Sequence, residues 1–420
     1  MKTAAATSSA RPLPGGWRVL ALLWFVACFN FMARQMIATM HGSVVGAIPM
    51  TEAQFGLLTS VFLWVYGLLS PVAGFMSDRF GRSRVIIVSM LSWSAVTWLT
   101  AYARTLEELL VMRALMAVCE ASYMPASLAL IAEYHRGATR ALATGIHMSG
   151  AVLGCALAGL GGWLAERHTW HYAFSIIGAV GVGYGVILVL ALRDAPRVSD
   201  GPNEEKGPSP VADLAPKVGF GRAIASLLGH SPFLLVLPYV LLMGTAGLVI
   251  SSWMPTYMRE HFHIGQGAAG LAATGYTNVA GLLGLFIGGA WSDRWRRTNV
   301  RGYIYVTVIG VFVAVPGILL LAQAPTFAFA MAGLVLYGLG TEFSDSTQMP
   351  ILCQIVDPRY RATAYGTLNF VQQITGGLAI YALGAMRDLH VDTGSMLIVA
   401  TGIQAVAGTL LLLVRPRQRA

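Results

Sequence analysis

Charge is scarce in this sequence. Asp, Glu, Lys and Arg make up only 11% of its 420 residues, too few to cover the surface of a soluble domain of this length. In their place 56% of the chain is hydrophobic. Apolar runs of about 20 residues recur from end to end, each long enough to cross a hydrocarbon core as a helix. Cysteine is scarce as well. Cys28, Cys119, Cys155 and Cys353 all fall inside apolar runs, without disulfide or metal spacing, and read as small packing residues. A G-x-x-x-x-G-K-[ST] loop is absent, which argues against ATP as the driving ligand. Metal-ligand clusters, nucleophile motifs and cofactor loops are missing too, so an enzyme is disfavoured and no cofactor is implied. The first apolar run lacks a small-residue cleavage site and continues into the fold, so it does not read as a removable signal.

What is present is an all-α polytopic membrane protein. Twelve spans are expected, at 17–40, 52–76, 83–103, 106–132, 141–165, 170–192, 229–258, 266–291, 302–322, 326–353, 362–386 and 393–414. Thr51-Glu52-Ala53-Gln54 has the capping-box pattern and marks the start of the second. "RDAPRVSDGPNEEKGPSPVADLAPK", rich in Pro, Gly and charge, reads as a linker. The expected division is a tail 1–16, a bundle 17–192, a linker 193–228, a second bundle 229–414 and a tail 415–420. The net charge of +9 is a topology signal rather than a nucleic-acid footprint. Basic residues crowd the tails, the linker and the loops on one side, while the other side has only Arg104, Arg167, Arg259 and Arg387. This bias puts both termini and the linker in the cytoplasm. The expected setting is a plasma membrane, such as a bacterial inner membrane, with the lipid bilayer and no nucleic acid as partner, and a monomer.

The two halves echo one another. "GFMSDRFGRSR" (74–84) returns as "GAWSDRWRRTN" (289–299), "EASYMP" (120–125) as "DSTQMP" (345–350), and "RALATG" (140–145) as "RATAYG" (361–366). Three matches in order describe one duplication, which predicts two pseudo-symmetric six-helix bundles with the substrate site between them near the midplane. At these residues the chain resembles the major facilitator superfamily over essentially its full length. Gly74, Asp78, Arg79, Gly81 and Arg82 match that superfamily's loop 2–3 signature; Gly289, Asp293, Arg294 and Arg297 are a degenerate copy with Arg296 in place of the second glycine. "NFMARQ" (30–35) and "RALMAVCEASYMPA" (113–126) resemble the first- and fourth-helix motifs of the anion:cation symporter family and the neighbouring spinster-like transporters. Ala33 stands where the resembled motif has an aspartate that is a proton-coupling candidate. Coupling then rests on Glu120, or is weakened or absent.

Spans three, six, nine and twelve have apolar interiors without ionisable groups, and a charge facing lipid costs about 2.5–3.5 kcal/mol. Those spans suit the periphery, and the others a wet cavity. Arg34, Arg113 and Glu120 stand out there. Arg113 and Glu120 are seven residues apart, so they share a helix face about 10 Å apart along the axis. Glu120 is therefore expected to reach Arg34, leaving Arg113 for an incoming anion; a purely structural Arg34–Glu120 pair is the plainer reading. Two guanidiniums suit a carboxylate or phosphate. Glu342 and Asp345, on neighbouring positions of one face, are further proton-coupling candidates or structural hydrogen-bonders. Tyr66, His147, Tyr239, Tyr276, Asn278, Asn369, Gln372 and Gln373 are neutral candidates for substrate contact, or interhelical glue. The "SDR" copies, with Asp78, Arg79, Arg82, Arg140, Asp293, Arg294 and Arg297, are expected to act as a cytoplasmic gate. "GAVLGCALAGLGG" (150–162) permits close helix packing.

The leading expectation is a secondary transporter of a small organic anion, a sugar acid or other carboxylate, coupled to protons. Alternatives are a spinster-like carrier of lysolipid or another amphiphile, and a receptor that binds without transporting.

Overall fold

A chain in hydrocarbon must satisfy its backbone N–H and C=O groups within itself, and here it does so by helices. The computed structural model describes residues 13–135, 138–195, 220–229, 231–356 and 361–414. The first span is α1 (Gly16–Thr39), continued past a break at Met40 by the short α2 (His41–Ala47). Then come α3 (Glu52–Phe80) and α4 (Arg82–Thr100), a fourth span in two pieces, α5 (Leu106–Glu120) and α6 (Tyr123–Tyr134), a fifth also in two, α7 (Ala138–Leu157) and α8 (Gly159–Arg167), and α9 (Trp170–Ala191). After the linker a short helix, α10 (Phe220–Leu228), precedes α11 (Ser231–Phe262), α12 (Gln266–Arg296), α13 (Gly302–Ala322), α14 (Phe327–Ile355), α15 (Arg361–Asp388) and α16 (Thr393–Leu411). The expected tails, apart from residues 13–16, and linker residues 196–219 lie outside the described residues.

Among the described residues, eleven helical spans are long and apolar enough to cross a membrane by composition. The twelfth, α15, is long enough at 28 residues but carries Asn369, Gln372 and Gln373 in its middle. It survives in the membrane because it is covered by α3 and α11. The duplication is visible in the packing. First span pairs with fifth (α1 on α7), second with fourth (α3 on α5) and third with sixth (α4 on α9). The second half repeats this as α11 on α15, α12 on α14 and α13 on α16. The halves meet where α3 runs along α15 and where α7 and α8 run along α12.

Local chemistry explains the motif residues. Thr51 caps α3: its hydroxyl accepts from the Gln54 N–H at 3.2 Å, while the Gln54 side chain accepts from the Thr51 N–H at 2.9 Å, as the sequence pattern predicts. Gly81 joins α3 directly to α4 at φ 84°, a left-handed conformation natural to glycine. In the second copy the connection between α12 and α13 is longer, Arg297 at its start is right-handed, and the demand for glycine disappears, which accounts for Arg296. Pro125 lacks the N–H that would bond the Ala121 carbonyl, and the fourth span breaks at Ala121–Ser122, leaving Glu120 as the last residue of α5.

Small residues let the bundles close up. A Cβ at Gly154 would collide with the Cys28 carbonyl of α1, whereas one at Gly145 would meet nothing. Gly154→Leu should therefore lower the detergent-solubilised melting temperature by several degrees, the cost of overpacking being about 1–3 kcal/mol. Gly145→Leu should leave it unchanged; an equal loss in both, read by a thermal melt, would refute this account of the α1–α7 contact.

Candidate substrate cavity

The bundles are sealed to one another at the end bearing α2 and the α15–α16 turn. Arg387 is the hub of the seal. Its Nε donates to Glu52 at 3.0 Å and its Nη2 to both Glu260 carboxylate oxygens at 3.0 Å, and its guanidinium lies 5.1 Å from the Trp253 ring centroid. His41 pairs with the same Glu52 at 3.0 Å. Asp388 accepts from the Glu52 and Ala53 N–H groups at 2.8 and 3.0 Å, so an acid of one bundle caps a helix of the other, complementing its dipole. Beside them Gln266 bridges Ser43, and Glu166 accepts from the Gly267 N–H at 2.6 Å. Among the described residues, hydrogen bonds between the bundles run from this end only as far as Trp64 on α3 and Thr274 on α12.

On the inner side of that seal lies a cavity of about 260 Å³, lined from both bundles. Its α1 and α7 wall has Gln35, Ala38, Thr39 and Cys155; the facing wall has Asn278, Thr341, Glu342, Asp345 and Gln372. A smaller pocket holds Arg34 and Arg113 with Thr59, Phe62 and Ser252, and shares Gln35, Leu248 and Ser251 with the larger one. The two spaces are parts of one site.

The arginines are held differently from the sequence expectation. No direct Arg34–Glu120 pair forms. Arg34 lies against aromatic faces instead, its guanidinium carbon 4.8, 5.0 and 5.9 Å from the ring centroids of Phe62, Tyr66 and Phe31. Among the described residues none accepts a hydrogen bond from its side chain. Arg113 is 2% exposed. It donates to the Leu58 carbonyl at 3.2 Å and to the Arg34 carbonyl at 3.4 and 3.5 Å, and sits 4.8 Å from the Phe62 centroid. So Arg34 is the freer donor, the reverse of the expected assignment. Glu120 is 2% exposed and neither carboxylate oxygen has a hydrogen-bond partner; Arg34, Arg113 and the buried Asn30 are its polar neighbours. Ala33 is fully buried in the first bundle, so the missing acid does not leave a hole in the cavity wall.

The neutral candidates divide. Asn278 and Gln372 line the cavity; Tyr66 lies outside the lining, its ring against Arg34 and stacked on Phe62 at 5.9 Å. His147 does not reach it: the ring is wholly buried inside the first bundle, bonded to Ser127 at 3.2 Å. Tyr239 bonds Ser344 at 3.0 Å and ties α11 to α14. Gln373 is buried against Gly67, in the α3–α15 contact. Tyr276, half exposed, and Asn369 lie outside the lining. Residues the sequence reading missed are Gln35, Ser251, Phe62 and Thr341; a polar residue adjoining Arg34 was the only available signal for Gln35.

At the opposite end, the side chains of Asp78 and Arg79 lie outside what is described. Arg82 bonds the Ala129 carbonyl at 2.9 Å and pairs with Glu133, within its own bundle. Asp293 accepts from the Tyr303 hydroxyl at 2.9 Å, also within its bundle, and Arg294 and Arg297 are exposed. Arg140 is partly buried.

Two duplicated helical bundles sealed at one end around a polar midplane cavity define a membrane transport protein rather than an enzyme. The Major Facilitator Superfamily profile matches residues 23–380, and the chain belongs to that family. It is 25% identical to protein spinster homolog 1 of Xenopus tropicalis over 392 residues, covering 88% of this chain and 72% of that one. It is 25% identical over 429 residues to the probable sulfoacetate transporter SauU of Cupriavidus necator, covering 96% and 95%. A 28% match over 193 residues to the D-galactonate transporter of Escherichia coli covers 45% and 44%. Among solved structures, a bacterial homolog of the human lysosomal transporter Spinster, inward-facing and unoccupied, superposes with TM-score 0.74 at 22% identity, covering 96% of this chain and 95% of that one.

The hub makes a prediction. Arg387→Ala removes the bonds to Glu52 and Glu260, partly exposed charge pairs worth about 0–1 kcal/mol each. Spin labels at the outer tips of α2 and α15 should then show a longer-distance population by double electron–electron resonance. Arg167→Ala, an exposed cation at the same end that among the described residues lies against the Trp163 ring, should not change the distances.

Proposed function

We propose that this transporter moves a small organic anion, such as a sugar acid or another carboxylate, together with protons, by alternating access. The observation that carries the reading is Arg34. Its guanidinium is fixed on three aromatic faces at the cavity wall, yet no described residue accepts from its N–H groups. A rigid planar fork with free donors at membrane depth suits bidentate binding of a carboxylate. Relatives named for sulfoacetate and D-galactonate support the same class. Glu120 is the group suited to carry the coupling proton: its unbonded, enclosed carboxyl has two guanidiniums as neighbours, so its charge matters to anything they hold. The charge asymmetry supports both termini lying in the cytoplasm, as in a bacterial inner membrane.

Similarity to a spinster homolog favours a second reading, carriage of a lysolipid or other amphiphile. Against it, a cavity of about 260 Å³ lies just below the usual range of ligand sites, about 300–1,000 Å³, which fits a small anion better than an acyl chain.

A thermal-shift screen of purified protein against sugar acids, other carboxylates and lysolipids separates the two. Stabilisation by a carboxylate, lost in Arg34→Ala by at least about tenfold in apparent affinity, is the expected result. Binding that survives Arg34→Ala, or stabilisation by lysolipids alone, would overturn it. In proteoliposomes Glu120→Gln should retain counterflow exchange and lose uptake driven by an inward proton gradient. Unchanged gradient-driven uptake would remove Glu120 from the coupling role.

A further inference from the structure

The cavity is electrically two-faced. Arg34 and Arg113 occupy the end formed by α1, α3 and α5, while Glu342 and Asp345 of α14 line the facing wall. Gln35, Leu248 and Ser251 line both spaces, so one molecule can touch both ends. Some of the neutral groups near the acids have donors already engaged. Asn278 Nδ2 donates to the Thr274 carbonyl at 2.8 Å, Thr341 Oγ1 to the Tyr337 carbonyl at 2.8 Å, and Thr274 Oγ1 to the Gly270 carbonyl at 2.9 Å. What faces the cavity on this wall is two carboxyl groups together with amide and hydroxyl groups, Asn278 keeping a second N–H and Gln372 both of its own. Among the described residues neither Glu342 nor Asp345 forms an ion pair. The two acids are three residues apart on α14 and both line the cavity, so an ionised carboxylate at either position puts negative charge on this wall.

Resting on the reading of a transported organic anion, we infer that the site selects a monoanion whose far end bears hydrogen-bond donors, hydroxyl or ammonium, and rejects dianions. The anionic head lies at Arg34; the donor-bearing tail satisfies Glu342, Asp345 and Asn278. A second carboxylate on the tail would meet the like charge of the two acids, which the neutral amides of Asn278 and Gln372 do not cancel. Glu342 and Asp345 are then specificity-determining residues, and discrimination comes from the repulsive element as much as from the attractive one.

The test uses matched acids on the full-length transporter, with affinity read by competition and thermal shift. D-galactonate and galactarate differ only in a terminal hydroxymethyl against a second carboxylate; glycerate and tartronate are the shorter pair. The monoanion should bind at least about tenfold more tightly than its dianion. In the Glu342→Gln/Asp345→Asn variant the preference should fall to within about threefold, with monoanion binding retained. An ω-amino analogue of the monoanion distinguishes an ammonium-bearing tail, which should gain affinity in the wild type and lose that gain in the variant, from hydroxyls alone. Should the double variant fail to fold, Glu342→Gln alone carries the comparison, and the wild-type ratio stands without any variant. Equal affinity for monoanion and dianion in the wild type, or a preference unmoved in a folded variant, would overturn the inference and leave the anion reading intact. If no acid of either kind binds the wild type while lysolipids do, the anion reading fails and takes this one with it.

Discussion

The arginine end of the cavity depends on Phe62. Two guanidiniums, Arg34 and Arg113, each lie 4.8 Å from its ring centroid, in a part of the protein where a lone arginine costs about 2.5–3.5 kcal/mol even on the mild scale. A carboxylate in direct contact would neutralise them but would also occupy the donors. Aromatic faces do something different: each desolvated cation–π contact contributes up to about 2 kcal/mol and consumes no N–H. Tyr66 and Phe31 extend the platform under Arg34, while Arg113 is anchored by the carbonyls of Leu58 and Arg34. Helices α1, α3 and α5 are thereby fixed around two positive charges, one of which keeps its donors available.

The seal at the other side of the cavity uses opposite means. There, charges meet charges directly: Arg387 with Glu52 and Glu260, His41 with Glu52, and Asp388 on the first turn of α3. Apart from His41–Glu52, each bond links pieces far apart in sequence, and most are partly exposed, so each is individually modest. Their concentration at one end is what matters. Bundles that touch along α3–α15 and α7–α8–α12 can pivot only if this cluster parts, and the glycines along the same helices allow the close contacts that make the closed arrangement tight. A transporter of this fold must visit more than one arrangement, so bonds of moderate strength at the rim suit it better than a buried apolar lock.

Much of this was legible in the sequence, for identifiable reasons. Span lengths, the capping box at Thr51 and the duplication follow from periodicity and local chemistry, and each is realised in the structure. The cavity acids and Arg34 were legible because an ionisable group at membrane depth is rarely idle. What was not legible was partnership. Arg34 was expected to meet Glu120, an inference from charge alone, whereas the rings of Phe62 and Tyr66 on α3 displace that contact. His147 and Tyr239 carry the same polar signal as Gln372, yet their neighbours Ser127 and Ser344 hold them inside the bundles. The Arg387 cluster joins residues more than 300 apart in sequence (Glu52 and Arg387 are separated by 335). No local pattern announces it, because each of its members is an ordinary loop-proximal charge.

The duplication also shows how one scaffold acquired two chemistries. Gly338 stands seven residues before Asp345, just as Arg113 stands seven before Glu120. An arginine cannot stand at 338, because even a Cβ there would collide with the Thr277 carbonyl of α12; the second bundle packs its second and fourth spans too closely. Pro350 follows Asp345 at the same interval as Pro125 follows Glu120, but α14 continues unbroken through it, so Asp345 stays on a helix face open to the cavity while Glu120 ends a helix and is enclosed. Equivalent positions have thus become an enclosed acid beside two bases in one half, and open acids without bases in the other. Pseudo-symmetry supplies two walls that can rock about a common site, and the broken symmetry of their charges gives that site a direction.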